Sequence, residues 1–238
     1  MLINLRNALM AGKRWKNPYV TDGLVAMWDG EWNAGGGVHD PNATTVKNAV
    51  TGIGDLDLTG GYTIGDNFVQ FDGVSGCGLG AKLQNTGWNG LTIEYAFTPV
   101  ATSGSYGSCG WTYAGPSSQR PSFYVDNGGT FYVLMTGYKG NIRRSGVART
   151  ACCLTSTGSS GSVIGYKNGI GIVSSTDTNQ DFSATANHFR VASYGGTSDN
   201  TVGYYAEKMH CVRIYSRALT TDEIAANYAI DKERFGLP

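Results

Sequence analysis

Two groups of side chains in this sequence have types and spacings that could do chemistry. The first is aromatic. Trp32, Trp88, Tyr106, Trp111, Tyr113 and Tyr138 fall in or beside stretches rich in Gly, Ser and Asn, most densely in SYGSCGWTYAGPSSQR. An aromatic in a loop has less reason to belong to a core than one on an alternating strand. The apolar CH faces of sugar rings stack on Trp and Tyr, while their hydroxyls hydrogen-bond to Asn, Asp and Arg. Arg143–Arg144 would add donors for an acidic sugar. Trp32, Tyr106, Trp111, Tyr113, Tyr138, Arg143 and Arg144 are therefore the candidate ligand-binding residues. The competing reading is that Trp28, Trp88 and Trp111 plug the ends of the fold, because most aromatics are substantially buried.

The second group carries oxygen. The stretch DGEWNAGGGVHDPNATTVKN holds Asp29, Glu31, Asn33, Asp40 and Asn42, with Gly35 to Gly37 freeing the backbone between them. Calcium takes roughly six to eight oxygen ligands, which makes Asp29, Asn33, Asp40 and Asn42 candidate calcium ligands. Their spacing is not that of an EF-hand, and Asp and Asn in loops commonly make turns and caps instead. Other reactive patterns are missing. His39, His188 and His210 form no HExxH or paired spacing, and there is no GxxxxGK[ST] or GxGxxG run. His210 falls on a predicted strand, where a hydrogen-bonded structural histidine is the ordinary case.

The elements that must position these groups read as an all-β sandwich. Glycine is abundant at 35 residues and proline scarce at 6, which suits short strands joined by tight turns. Leu24–Trp28 reads as the first strand and Phe68–Asp72 as a strand running into a turn. In TIEYAF, Ile93, Tyr95 and Phe97 share one face and Glu94 takes the other. Two hairpins follow: 122–125 with 130–135 around Asn127–Gly129, and 163–167 with 170–173 around Asn168–Gly169. Phe189–Ser193 and Met209–Tyr215 supply late strands. In the last of these, Val212 and Ile214 oppose Cys211, Arg213 and Tyr215. Thr220 stands three residues before Glu223, the spacing of a capping box, with Leu219 and Ile224 at the staple positions of a short C-terminal helix.

Residues 1–17 read as a separate helical arm: Leu2, Leu5 and Leu9 recur at helical spacing and Lys13, Arg14 and Lys16 follow. Residues 18–238 form the sandwich, with no break in composition to divide them. The arm would pack on the sandwich or dock on another protein. It has no continuous apolar core of the kind a signal peptide needs, so synthesis in the cytoplasm is expected. Net charge is zero, which gives no electrostatic reason to expect nucleic acid or an anionic membrane as partner. Five cysteines cannot all pair, and Cys152–Cys153 are adjacent, so buried thiols are expected.

The closing stretch VRIYSRALTTDEI, then Asn227–Tyr228 and RFG at 234–236, resembles the end of laminin-G-like jelly-roll domains of the concanavalin A-like lectin and glucanase superfamily. The segments FDG, TIE and GYKNG resemble further parts of that family. Ala206–Glu207–Lys208 departs from it, since a glycine often precedes the closing strand there. The resemblance implies a concanavalin A-like jelly-roll β-sandwich, a fold that hosts binding modules, enzymes and structural domains alike. WDG and HDPNAT resemble laminin-G-like domains encoded in phages and prophages of gut bacteria, which implies a virion structural protein released inside an assembled particle.

Retaining glucanases of the superfamily carry an E-x-D-x-x-E strand whose carboxylates stand about 5 Å apart. This chain has no such strand and no SxDxGxTW box of the sialidase type. The expectation is therefore a chain that is not an enzyme and recognises a glycan or cell-surface ligand without cofactor, apart from the candidate calcium. The alternative is a structural or decoration domain that assembles with virion proteins or with copies of itself. A glycoside hydrolase, with Glu94 and Asp126 meeting in space, is the third reading.

Overall fold

The computed structural model describes residues 19–50, 53–82, 88, 90–100, 107–111, 122–125, 131–135, 138–142, 150–156, 162–176, 188–195 and 201–238. The arm at 1–17 and the turn at 127–129 lie outside them.

The chain folds into antiparallel sheets and one C-terminal helix. The first sheet runs β14 (Ile170–Thr176), β13 (Ser162–Lys167), β12 (Thr150–Ser156), β7 (Leu91–Pro99), β18 (Ala206–Tyr215), β5 (Phe68–Asp72) and β4 (Tyr62–Gly65). The second runs β11 (Tyr138–Ile142), β10 (Phe131–Met135), β9 (Ser122–Val125), β8 (Gly107–Gly110), β15 (His188–Val191), β6 (Cys77–Lys82), β3 (Leu56–Thr59) and β2 (Thr45–Val46). A small ribbon pairs β16 (Ser193–Gly195) with β17 (Thr201–Tyr204).

Strand β18 organises the first sheet. One edge pairs with β7 along most of its length. The other edge is shared: Ala206–Met209 pairs with β5, and Tyr215 back to Cys211 pairs with β1 (Leu24–Asp29). The two partners meet at Gly30, whose N–H donates to the His210 carbonyl at 2.8 Å. A Cβ at Gly30 would lie 2.7 Å from Phe68 Cα, so only glycine lets β1 end against β5.

Period-two patterning sends the apolar residues of both sheets into one core. Trp28, Phe71, Leu91, Ile93, Tyr95, Phe97, Val212 and Ile214 meet Leu56, Leu58, Cys109, Phe189 and Val191 across the sandwich. Each fully buried apolar side chain of this size contributes about 1.5–3 kcal/mol. The face expected for TIEYAF is the face observed, with Glu94 opposite.

In β18 the register against β7 shifts between Met209 and Cys211. This bulge at His210 turns Met209 into the core with Val212 and Ile214, although simple alternation would group it with Cys211 and Arg213. The β13–β14 hairpin turns on Asn168 (φ 53°) and Gly169 (φ 76°), the two positive angles that a type I′ turn demands.

The helix α1 (Thr221–Phe235) lies on the outer face of the first sheet, over Tyr19, Met27, Ala96 and Cys211 at one end and Tyr166 and Tyr215 at the other. Its start is built as the spacing predicted. Thr220 Oγ1 accepts from Glu223 N–H, and Glu223 Oε2 accepts from Thr220 N–H at 2.8 Å. Leu219 and Ile224 are buried in one cluster as the staple. Gly236, at φ 61°, stops the helix. No helix among the described residues is long and apolar enough to cross a membrane.

Candidate functional site

Asp29 closes β1 and begins the loop that carries Trp32. Its Oδ1 accepts from the N–H groups of Glu31 (3.0 Å) and Trp32 (3.3 Å), turning the chain out of the sheet. The buried Asn33 side chain then ties the loop to itself. Its Oδ1 accepts from Asp40 N–H at 2.8 Å, and its Nδ2 donates to the Asp40 carbonyl at 2.7 Å. Gly35, Gly36 and Gly37 all have positive φ, which this closed path requires. His39 Nδ1 lies 3.2 Å from the Glu31 carbonyl. A carbonyl only accepts, so Nδ1 is the donor of this pair. The loop thus presents a half-buried Trp32 on a fixed backbone.

Arg234, at the end of α1, holds this loop from below. Its Nη1 donates to Asp29 Oδ2 at 2.7 Å and to Tyr19 Oη at 3.0 Å. Its Nη2 donates to Asp29 Oδ1 at 3.0 Å and to Glu31 Oε2 at 3.0 Å. The guanidinium carbon stands 4.2 Å from the centre of the Trp32 ring. The Arg234 side chain has no exposed surface, so it covers the inward face of the indole and leaves the outward side to solvent. Burial works against the Arg234 charge, but the Asp29 carboxylate more than offsets it and raises the pKa well above its ordinary value.

The same seam continues under α1. Arg213 of β18 donates through Nε to Glu94 at 2.8 Å and through both Nη atoms to Asp231, at 2.8 and 2.5 Å. Tyr19 Oη donates to Asp231 at 2.7 Å, and its ring lies 4.1 Å from the Arg213 guanidinium. Asn227 Nδ2 donates to Glu94 (2.8 Å) and to Tyr215 Oη (2.9 Å), and its Oδ1 accepts Val20 N–H (2.9 Å). Burial raises the Glu94 pKa, with Arg213 opposing that rise. These groups lock the helix onto the sheet, and Glu94 is buried among them.

One carboxyl lies on the core side. Glu207 of β18 accepts from Tyr95 Oη and from the N–H of Ala192, which sits at φ 60° between β15 and β16. Burial pushes its pKa up to about 8, the two hydrogen bonds only partly opposing that. Glu207 is therefore protonated at neutral pH.

The structure places the predicted residues unevenly. Trp32 reaches the surface. Trp111 does not: it is fully buried, 4.9 Å edge-on from Phe189, with its Nε1 donating to the Ala81 carbonyl at 3.2 Å, so it packs the core. Tyr138 opens β11, with its side chain outside the described residues, as are Tyr106, Tyr113, Arg143, Arg144 and Asp126 altogether. Asp29, Asn33 and Asp40, read as calcium ligands, spend their side chains on Arg234 and on the loop, and Asn42 N–H donates to Asp40 Oδ1 at 2.9 Å. No cluster of three or more His, Cys, Asp or Glu suited to a metal occurs among the described residues. His210 is the structural histidine expected, between Thr98 Oγ1 (2.9 Å) and the Asn67 carbonyl (3.0 Å) and stacked on Phe235. Cys77, Cys109 and Cys211 are buried. Sequence reasoning missed Arg234 and Tyr19. Arg234 was legible only as a cation in a last helical turn, and nothing local ties it to Asp29.

No protein-family model matches the chain, and no curated protein matches it in sequence. Solved structures match in fold. Trypanosoma rangeli sialidase in complex with sialic acid aligns with a TM-score of 0.67 at 16% identity, over 92% of this chain and 34% of that one. The same sialidase as a covalent intermediate with 2,3-difluorosialic acid gives 0.69 at 16%, over 97% and 37%. The binding domain of botulinum neurotoxin DC in complex with SialylT gives 0.61 at 10%, over 88% and 52%. The chain spans about a third of the sialidases' length and about half of the neurotoxin domain's. These likenesses correct the expectation that the chain is not an enzyme. Its fold recurs within sialidases, so the lack of a glucanase motif does not set it apart from catalytic proteins. The chain belongs with these structures by fold alone.

Proposed function

We propose that this chain is a laminin-G-like, concanavalin A-like jelly-roll module that recognises a glycan through the Trp32 loop. The observation that carries the proposal is Trp32 itself. Its indole is fixed from below by an enclosed arginine and keeps one side toward solvent, on a loop whose backbone is tied down by Asn33. A fixed aromatic face loses little entropy on stacking a sugar ring. Its fold neighbours, a sialidase with sialic acid and a neurotoxin binding domain with SialylT, are in keeping with a saccharide ligand. Tyr106 and Tyr113 are proposed to extend the contact surface. Saturation-transfer NMR on the full chain against a panel of oligosaccharides tests the reading. Transfer to at least one saccharide, lost in Trp32→Ala, is expected, and a panel with no transfer would sink it.

We further propose that the module belongs to a virion structural protein, made in the cytoplasm and carried on an assembled particle; the resemblance of WDG and HDPNAT to phage-encoded domains supports this reading. The helical arm at 1–17 would be its joint to other virion proteins. Coding neighbours that are unrelated to phage morphogenesis would count against this assignment.

A further inference from the structure

We infer that the Trp32 surface selects an uncharged sugar and disfavours an acidic one. The inference rests on the glycan-binding reading and adds the chemical class of the ligand.

From Asp29 to Asn42 the chain holds three carboxylates and no lysine or arginine. Among the described residues, the one guanidinium within reach of the indole is that of Arg234, whose side chain is wholly enclosed and whose Nη atoms are directed at Asp29, Glu31 and Tyr19. It cannot turn outward to a ligand carboxylate without abandoning two of its own. Lys47, at the base of the loop, is exposed but lies 2.7 Å from Asp55. Among the described residues, what remains along this loop accepts: the Glu31 and Asp40 carboxylates, both partly exposed. Sugar hydroxyls donate to such groups in charge-assisted bonds. A sialic acid carboxylate would be repelled. The fold neighbours with sialylated ligands would suggest the opposite preference, so the inference separates this chain from them.

The test uses the full chain titrated with lactose, N-acetyllactosamine and their α2,3-sialylated forms, read by the Trp32 indole resonance and by saturation transfer. The uncapped sugars are expected to bind about tenfold or more tightly than the capped ones, and high salt or Glu31→Gln should narrow that gap. Trp32→Phe keeps a ring in place and should retain weakened binding where Trp32→Ala abolishes it. Equal or tighter binding of the sialylated forms, still dependent on Trp32, overturns the charge selection and leaves the glycan site standing. Binding of none of the four sugars, or binding unchanged in Trp32→Ala, overturns the inference together with the site.

Discussion

The two faces of β18 solve the same problem in opposite ways. Toward the core the strand presents Glu207, Met209, Val212 and Ile214. Toward α1 it presents His210, Cys211, Arg213 and Tyr215. On the core side a single carboxyl has no charged partner, and burial keeps it neutral. On the helix side the carboxyls have a cation beside them instead, because Arg213 sits between Glu94 and Asp231 with hydrogen bonds to both. A buried acid survives either by giving up its charge or by being paired, and one strand does both about two residues either side of a bulge.

The largest test of this contrast is pH. The Glu207 pKa is raised from 4.5 to about 8 on folding, so its favourable contribution is full below the ordinary glutamate range and is lost as pH climbs from 4.5 toward 8. The shift corresponds to about 5 kcal/mol. Urea unfolding at pH 5 and pH 9 should show this loss in the wild-type chain. Glu207→Gln keeps the acceptor oxygen and should be markedly flatter across the same interval. Equal slopes in the two proteins would mean that Glu207 is ionised in the folded state. The helix side should break differently. Arg213→Met leaves Glu94 and Asp231 buried without their cation and should cost about 3–5 kcal/mol by the same measurement at neutral pH.

Smaller effects locate the edges of the helix seam. Thr220→Ala removes one half of the capping box and should cost about 1 kcal/mol, seen as a lowered Tm. Glu223, the other half, has its pKa lowered to about 2, chiefly by Arg217, so its share is present at neutral pH and lost as pH falls from 4.5 toward 2, the reverse of Glu207. Trp32→Ala should cost the least, about 0.5–1 kcal/mol, because the indole is partly exposed and Arg234 keeps its carboxylates. A greater loss would make Trp32 a structural residue first.

Local signals made the scaffold legible. The capping box, the staple, the Asn-Gly turn and the alternation in TIEYAF each act within a few residues, and each is found as read. What was illegible depends on partners far along the chain. Asp29 reads as a metal-binding oxygen until Arg234 arrives from 205 residues away. Trp111 reads as a loop aromatic, yet its Phe189 neighbour draws it into the core. The bulge at His210 reverses the face of Met209, and no residue type there announces it. Ala206–Glu207–Lys208, which read as a departure in turn geometry, begins β18 and seats the neutral acid. Of the candidate site, sequence found the indole and missed the arginine that fixes it.

The seam beneath α1 also has a mechanical meaning. Tyr19 and Val20 bond to Asp231 and Asn227, so the segment just ahead of β1 and the helix α1 are riveted side by side. A pull that drew residue 19 away from residue 235 would load these side-chain bonds first, ahead of the ladders of either sheet. Because Arg234 joins Tyr19 to Asp29 and Glu31, tension on these rivets would also reach the Trp32 loop.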